Sequence, residues 1–152
     1  MARFENLINQ FRKIQPKFSR LYTRILNEAG LTQPQYALLL ELAQCMPKPM
    51  TMTAISQKLY ISKPAVTNLA DRLEKGGYLK RLDHPKDRRI SLLEIQSKGK
   101  KIVNQMQGRF LNLILHTVKQ FNERERTVVE KFYATLSQSL DEVLCGKKNG
   151  KP

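Results

Sequence analysis

A chain of 152 residues with 41% hydrophobic content has room for one globular domain of ordinary size with its own core. Its 27 Lys and Arg against 13 Asp and Glu leave a net charge of +14 at pH 7, which suits a molecule that seeks polyanions. No apolar run approaches the roughly 18 residues that a bilayer span requires, and no N-terminal signal pattern is present, so a membrane role is set aside and a cytoplasmic location is expected.

Phe4, Leu7, Ile8, Phe11, Phe18, Leu21, Tyr22 and Ile25 recur at intervals of three and four, which places one apolar stripe on a long first helix. Pro16 lacks the amide proton an interior helical position uses, so a kink there or a helix starting near it is expected, and Gly30 ends the segment. Thr32 is an N-cap for a second helix with Pro34 in its first turn; this helix runs through Tyr36, Leu39, Leu40 and Leu42 and stops before Pro47 and Pro49.

Thr51 then caps a short helix whose apolar positions are Ile55 and Leu59, and Ser62 caps the next, so the two must turn sharply. The second of them, Ser62 to about Lys75, buries Val66, Leu69 and Leu73, and Gly76-Gly77 supplies a left-handed stop. From Tyr78 the helical period disappears. Residues 78–82 and 89–95 are strand-like, and the charged stretch from Asp83 to Arg88 between them makes a β-hairpin with a basic tip. Helical spacing resumes after Ser97 with Ile102, Met106, Phe110, Leu113, Ile114, Val118 and Phe121. Asn122 with Glu125 forms a capping box that opens a last helix through Val128, Val129, Phe132, Tyr133, Leu136, Leu140, Val143 and Leu144. The basic tail 146–152 has nothing to bury and is expected to be disordered.

The fold class is therefore mainly α, an α+β winged helix: a helix-turn-helix lobe over 32–97 and a helical region from 1–30 and 98–145, within a single domain 1–145. A helix fits the major groove of DNA. With its inner face anchored, the Ser62 helix presents Ser62, Lys63, Pro64, Ala65, Thr67, Asn68 and Arg72 to base edges and phosphates. The hairpin tip, with Lys86, Arg88 and Arg89, suits the minor groove alongside, and Asp87 is suited to hold a neighbouring guanidinium. From Pro47 to Lys101 there are 13 Lys/Arg and 5 Asp/Glu, gathered on this helix and hairpin, which favours DNA binding over a merely solvated face.

The run Ile61-Ser62-Lys63-Pro64-Ala65-Val66-Thr67-Asn68-Leu69-Ala70-Asp71-Arg72-Leu73-Glu74-Lys75-Gly76-Gly77-Tyr78-Leu79-Lys80-Arg81, followed by His84-Pro85-Lys86-Asp87-Arg88-Arg89, resembles the core of MarR-family transcription regulators. The resemblance covers nearly the whole chain in element order and is specific from about Thr51 to Gly99. It implies that Arg89 enters the minor groove with Asp87 orienting it, and that the protein is a homodimer joined through its first and last two helices on a pseudo-palindromic double-stranded operator. It further implies a repressor modulated by a small-molecule or other signal, bound in a pocket lined by residues such as Tyr22, Tyr36 and Phe110. Where the family usually reads Leu-Thr-x-x-Gly, this chain has Ile95-Gln96-Ser97-Lys98-Gly99, so Ser97 is expected to take over part of the capping role.

Two striped helices at the end of so small a chain have too few partners within it, which independently points to a shared dimer core. Cys45 and Cys145 are 100 positions apart and, like His84 and His116, lack metal-ligand spacing, so free thiols and no metal or cofactor are expected, with Cys45 as a small filler rather than an oxidation sensor. No acid-base or nucleophile pattern suggests an enzyme. Two other readings stay open: an architectural DNA binder without a defined operator, and a winged-helix module that binds protein.

Overall fold

In the computed structural model, residues 2–144 are described, with side chains from Phe4 onward; Cys145 and the tail expected to be disordered lie outside them. The elements are α1 (Ala2–Ala29), α2 (Gln33–Gln44), β1 (Met50–Thr51), α3 (Met52–Leu59), α4 (Lys63–Lys75), β2 (Leu79–His84), β3 (Asp87–Ile95), α5 (Ser97–Val118) and α6 (Glu123–Leu144). Two compact units divide the chain, the first ending at Met106 and the second starting at Gln107.

In the first unit, α1 runs unbroken through Pro16 to Ala29, so no new helix starts at the proline. A proline removes one helical hydrogen bond, and the apolar stripe continues across it from Phe11 and Ile14 to Phe18. Gly30, with φ of +66°, ends the helix, and the Leu31 amide donates back to the Leu26 carbonyl at 3.0 Å. Thr32 caps α2 with Gln35 as its reciprocal partner: the Thr32 amide and hydroxyl both donate to Gln35 Oε1, at 2.8 and 3.1 Å.

The core of this unit is built on α2. Leu38 and Leu39 are fully buried, as are Ile55 of α3, Val66, Ala70 and Leu73 of α4, and Leu93 of β3. Burying each of the larger side chains stabilises the lobe by about 1.5–3 kcal/mol. Leu69, expected inside, is only half-buried, and the small Ala70 takes the inner position. The sheet has the order β1-β3-β2, all antiparallel. β1 was not foreseen: a two-residue strand carries too little pattern to read, and it exists because Met50 and Thr51 pair with Leu93 and Leu92. The hairpin strands also reach further than expected, to His84 and from Asp87, which leaves Pro85-Lys86 as the tip.

The chain enters α5 against Tyr78. The Gln96 amide donates to the Tyr78 carbonyl at 2.9 Å, and Lys98 donates to the Gly76 carbonyl at 2.8 Å while its ammonium lies 4.3 Å from the Tyr78 ring centre. Gly99 is required by this approach, since a Cβ there would collide with the Tyr78 carbonyl and come within 2.8 Å of Ile95 Cγ1. On an open helix, Gly→Ala stabilises by about 1 kcal/mol. Here the obstructing atom is backbone, so Gly99→Ala should instead destabilise by about 1–3 kcal/mol, read as a lower thermal midpoint. An unchanged or raised midpoint would show that the backbone at Tyr78 gives way readily.

In the second unit, the rest of α5 turns into α6 through the expected capping box: the Asn122 amide donates to Glu125 Oε2 at 2.8 Å and the Glu125 amide to Asn122 Oδ1 at 3.1 Å. Arg126 reaches back to the open end of α5, donating to the Val118 and Lys119 carbonyls. No residue of α6 is buried, and Val128, Phe132, Tyr133, Leu140, Val143 and Leu144 are all more than half exposed.

Candidate nucleic-acid interface

The reading element is set by three local devices. Thr51 Oγ1 accepts from the Ala54 amide at 3.1 Å and starts α3. Tyr60, with φ of 53°, ends it in the left-handed region, which costs a side-chain-bearing residue about 1–2 kcal/mol. The turn offsets part of this, because the Ile61 amide donates to the Ser56 carbonyl at 3.2 Å and the Ser56 hydroxyl donates to the Ile61 carbonyl at 2.6 Å. Ser62 Oγ then accepts from the Ala65 amide at 3.3 Å and Pro64 sits in the first turn, so α4 begins only four positions after α3 ends.

Ser62 is therefore the cap of α4, and its hydroxyl proton is still available to a phosphate oxygen. Lys63, Pro64, Thr67, Asn68 and Arg72 are exposed and Ala65 is half-exposed, opposite the buried Val66, Ala70 and Leu73. Thr67 donates its hydroxyl to the Lys63 carbonyl at 3.1 Å, which turns its methyl outward. In the hairpin, Lys86, Asp87, Arg88 and Arg89 are all exposed. Asp87 Oδ1 accepts from the Arg89 backbone amide at 2.9 Å, so its hold on Arg89 is on the main chain rather than on the guanidinium. The side chains of Lys63, Asn68, Arg72, Lys86, Arg88 and Arg89 make no hydrogen bond or ion pair with the described residues.

One group at this surface was not legible as a site. Arg81 of β2 holds Asp71 Oδ1 at 2.6 Å through Nη2 and Glu74 Oε2 at 3.2 Å through Nη1, while its backbone amide donates to Glu74 Oε1 at 3.0 Å. The acidic pair one turn apart on α4, followed by an arginine seven positions on, was the available signal, but a count of basic residues treats Arg81 as one more cation. In the same sheet Lys80 binds Glu94 at 2.9 Å, and that hydrogen bond holds the Glu94 carboxyl below its ordinary range.

Of the expected effector residues, Tyr22 and Tyr36 meet edge to face with ring centres 5.6 Å apart. Burial, and then the neighbouring Tyr36, push the Tyr22 hydroxyl up to about 12, and burial raises that of Tyr36. Phe110 belongs to the second unit. Cys45 is a half-buried free thiol at the end of α2, with the Lys58 ammonium 3.8 Å from its sulfur and 2.9 Å from Glu41 Oε2. Among the described residues, no cluster of three His, Cys, Asp or Glu could hold a metal ion, and no helix is long and apolar enough to cross a membrane.

A tight pair of helices followed by a basic two-stranded wing defines a winged helix-turn-helix, the class of fold to which DNA-binding regulators belong. The model of the MarR family, a family of transcription regulators, matches residues 31–91, the span from just before α2 into β3. It is 25% identical to the HTH-type transcriptional regulator YhbI of Bacillus subtilis over 148 residues, covering 97% of this chain and 93% of that one. YsmB of the same organism, also an HTH-type transcriptional regulator, is 26% identical over 116 residues, 76% of this chain and 78% of its own. The fold matches a MarR family protein from Bacillus stearothermophilus with a TM-score of 0.73 and 23% identity, over 90% of this chain and 94% of that one. It also matches the S. aureus MepR–DNA complex with a TM-score of 0.66 and 24% identity, over 88% of this chain and 94% of that one.

Proposed function

We propose that this DNA-binding transcription regulator acts as a cytoplasmic, non-enzymatic homodimer that represses from a pseudo-palindromic operator, each protomer laying α4 in a major groove and its wing in the adjacent minor groove. The observation that carries the reading is the set of uncommitted side chains on one lobe: Asn68 and Arg72 beside Lys63 on α4, and Lys86, Arg88 and Arg89 on the wing. Asn68 is the base reader, able to bond an adenine edge bidentately, with the Thr67 methyl beside it for a thymine methyl. Lys63 and Arg72 bind phosphates, and the wing arginines follow the negative potential of the narrow groove.

The exposed apolar side chains of α1 and α6 support the dimer, since Phe4, Leu7, Phe11, Val128, Phe132 and Val143 would otherwise lie in water. The Tyr22–Tyr36 pair is the candidate wall of an effector pocket, offering aromatic surface to an organic ligand. The test is selection from fragmented genomic DNA. The bound pool should converge on two inverted half-sites with centres about 10 base pairs apart. A pool with no shared sequence would favour an architectural binder instead.

A further inference from the structure

We infer that Arg81, with Asp71 and Glu74, is the positioning device that fixes the wing relative to the recognition helix, and that it governs operator affinity without touching DNA. The inference rests on the proposed docking of α4 and the wing in neighbouring grooves.

The geometry is that of a joint. Asp71 and Glu74 stand on α4 just beyond the exposed Thr67 and Asn68 and on either side of Arg72 in sequence, and Arg81 lies in β2 on the way to the tip. Three bonds tie the two elements, and Glu74 makes two of them: one carboxylate oxygen takes the Arg81 amide and the other takes its guanidinium. The Arg81 amide is thus bonded to the helix, while its residue pairs with Leu93 of β3 in the sheet. A guanidinium shared between two carboxylates on different turns of one helix resists rotation of the strand, which a single point charge would not.

Reach makes the restraint matter. From Arg81 to Pro85 the strand extends about 13 Å at about 3.3 Å per residue, so a tilt of roughly 10° at the joint moves the tip by about 2 Å. A hydrogen bond tolerates only about half an ångström, so such a tilt breaks the directional contacts of the wing while its cations stay well within a Debye length of the phosphates, about 8 Å at physiological salt. The stability of the fold depends little on the joint, because the three side chains are 30–45% exposed and ion pairs of that kind contribute weakly. The sheet and the buried Leu79, Leu93 and Leu73 hold the lobe together without it.

Charge separates this role from direct DNA contact. If Arg81 bound phosphate, Arg81→Met would lower the slope of log K against log salt by about 0.9, and neutralising the two acids would strengthen binding. As a positioning residue, Arg81→Met should lower operator affinity at least tenfold with an unchanged slope, and Arg81→Lys should recover part of the loss. The double variant Asp71→Asn with Glu74→Gln raises the net charge by two and should still weaken operator binding about tenfold, at a thermal midpoint near that of the parent. It keeps the guanidinium, so it remains informative if Arg81→Met does not fold. Tighter operator binding by the double variant, parental binding by Arg81→Met, or a slope lowered by about 0.9 would each overturn the inference. A parent protein without preference for any duplex would overturn the docking reading and this joint with it; a selective parent with unaffected variants overturns the joint alone.

Discussion

Arg89→Ala should weaken operator binding by about 1–3 kcal/mol and lower the salt slope by about 0.9, because a wing cation that releases a counterion is lost. The informative partner is Asp87→Ala. Simple electrostatics predicts tighter binding when a carboxylate beside DNA is removed. In the folded wing, however, Asp87 Oδ1 accepts from the Arg89 amide at 2.9 Å and so fixes the backbone that carries Arg89. Losing one such bond costs about 0.5–1.5 kcal/mol, and here the loss falls on the order of a contact residue. Asp87→Ala should therefore bind three- to tenfold more weakly despite its extra positive charge. Combined with Arg89→Ala it should add almost nothing, since the two act as one unit. Tighter binding by Asp87→Ala across several salt concentrations would remove the orienting role.

Phe132→Glu should abolish the dimer. Phe132 is 58% exposed on α6, in a helix without a buried residue, and Val128 and Val143 on the same helix are more exposed still. In the proposed dimer this ring is buried, which stabilises association by about 1.5–3 kcal/mol per protomer, and a carboxylate in its place would have to be desolvated without a partner. The parent chain of 17.6 kDa should sediment at low micromolar concentration as a particle of about twice that mass, and the variant as a monomer or as an unfolded chain. Operator affinity should collapse with it, because one protomer reaches only one half-site. A monomeric parent that binds its operator tightly would contradict the shared-core reading of these helices.

The helices and the wing were legible because their signals are local. Thr51, Ser62 and the Asn122–Glu125 pair are caps whose partners lie three residues away, and Gly30 and Gly77 both carry the positive φ that a helix end requires. What was not legible depends on distant partners. β1 is a strand only because β3 lies beside it, and of the two outcomes expected at Pro16, a kink or a helix start, the continuous α1 removes the second. Arg81 belonged to the same class of failure: its charge is visible in the sequence, but its two carboxylates on another element are not. Asp87 does hold its neighbour Arg89, but the hydrogen bond goes to the backbone amide where the sequence suggested the guanidinium.

The most direct measurement is a competition titration at about 150 mM salt, in which a selected genomic fragment and a scrambled duplex of equal length compete for the parent protein. If α4 reads bases through Asn68 and its neighbours, the fragment should win by about a thousandfold or more, and Asn68→Ala should reduce that ratio. Equal affinity for the two duplexes would mean that the cationic lobe binds backbone alone, and would contradict sequence-specific regulation.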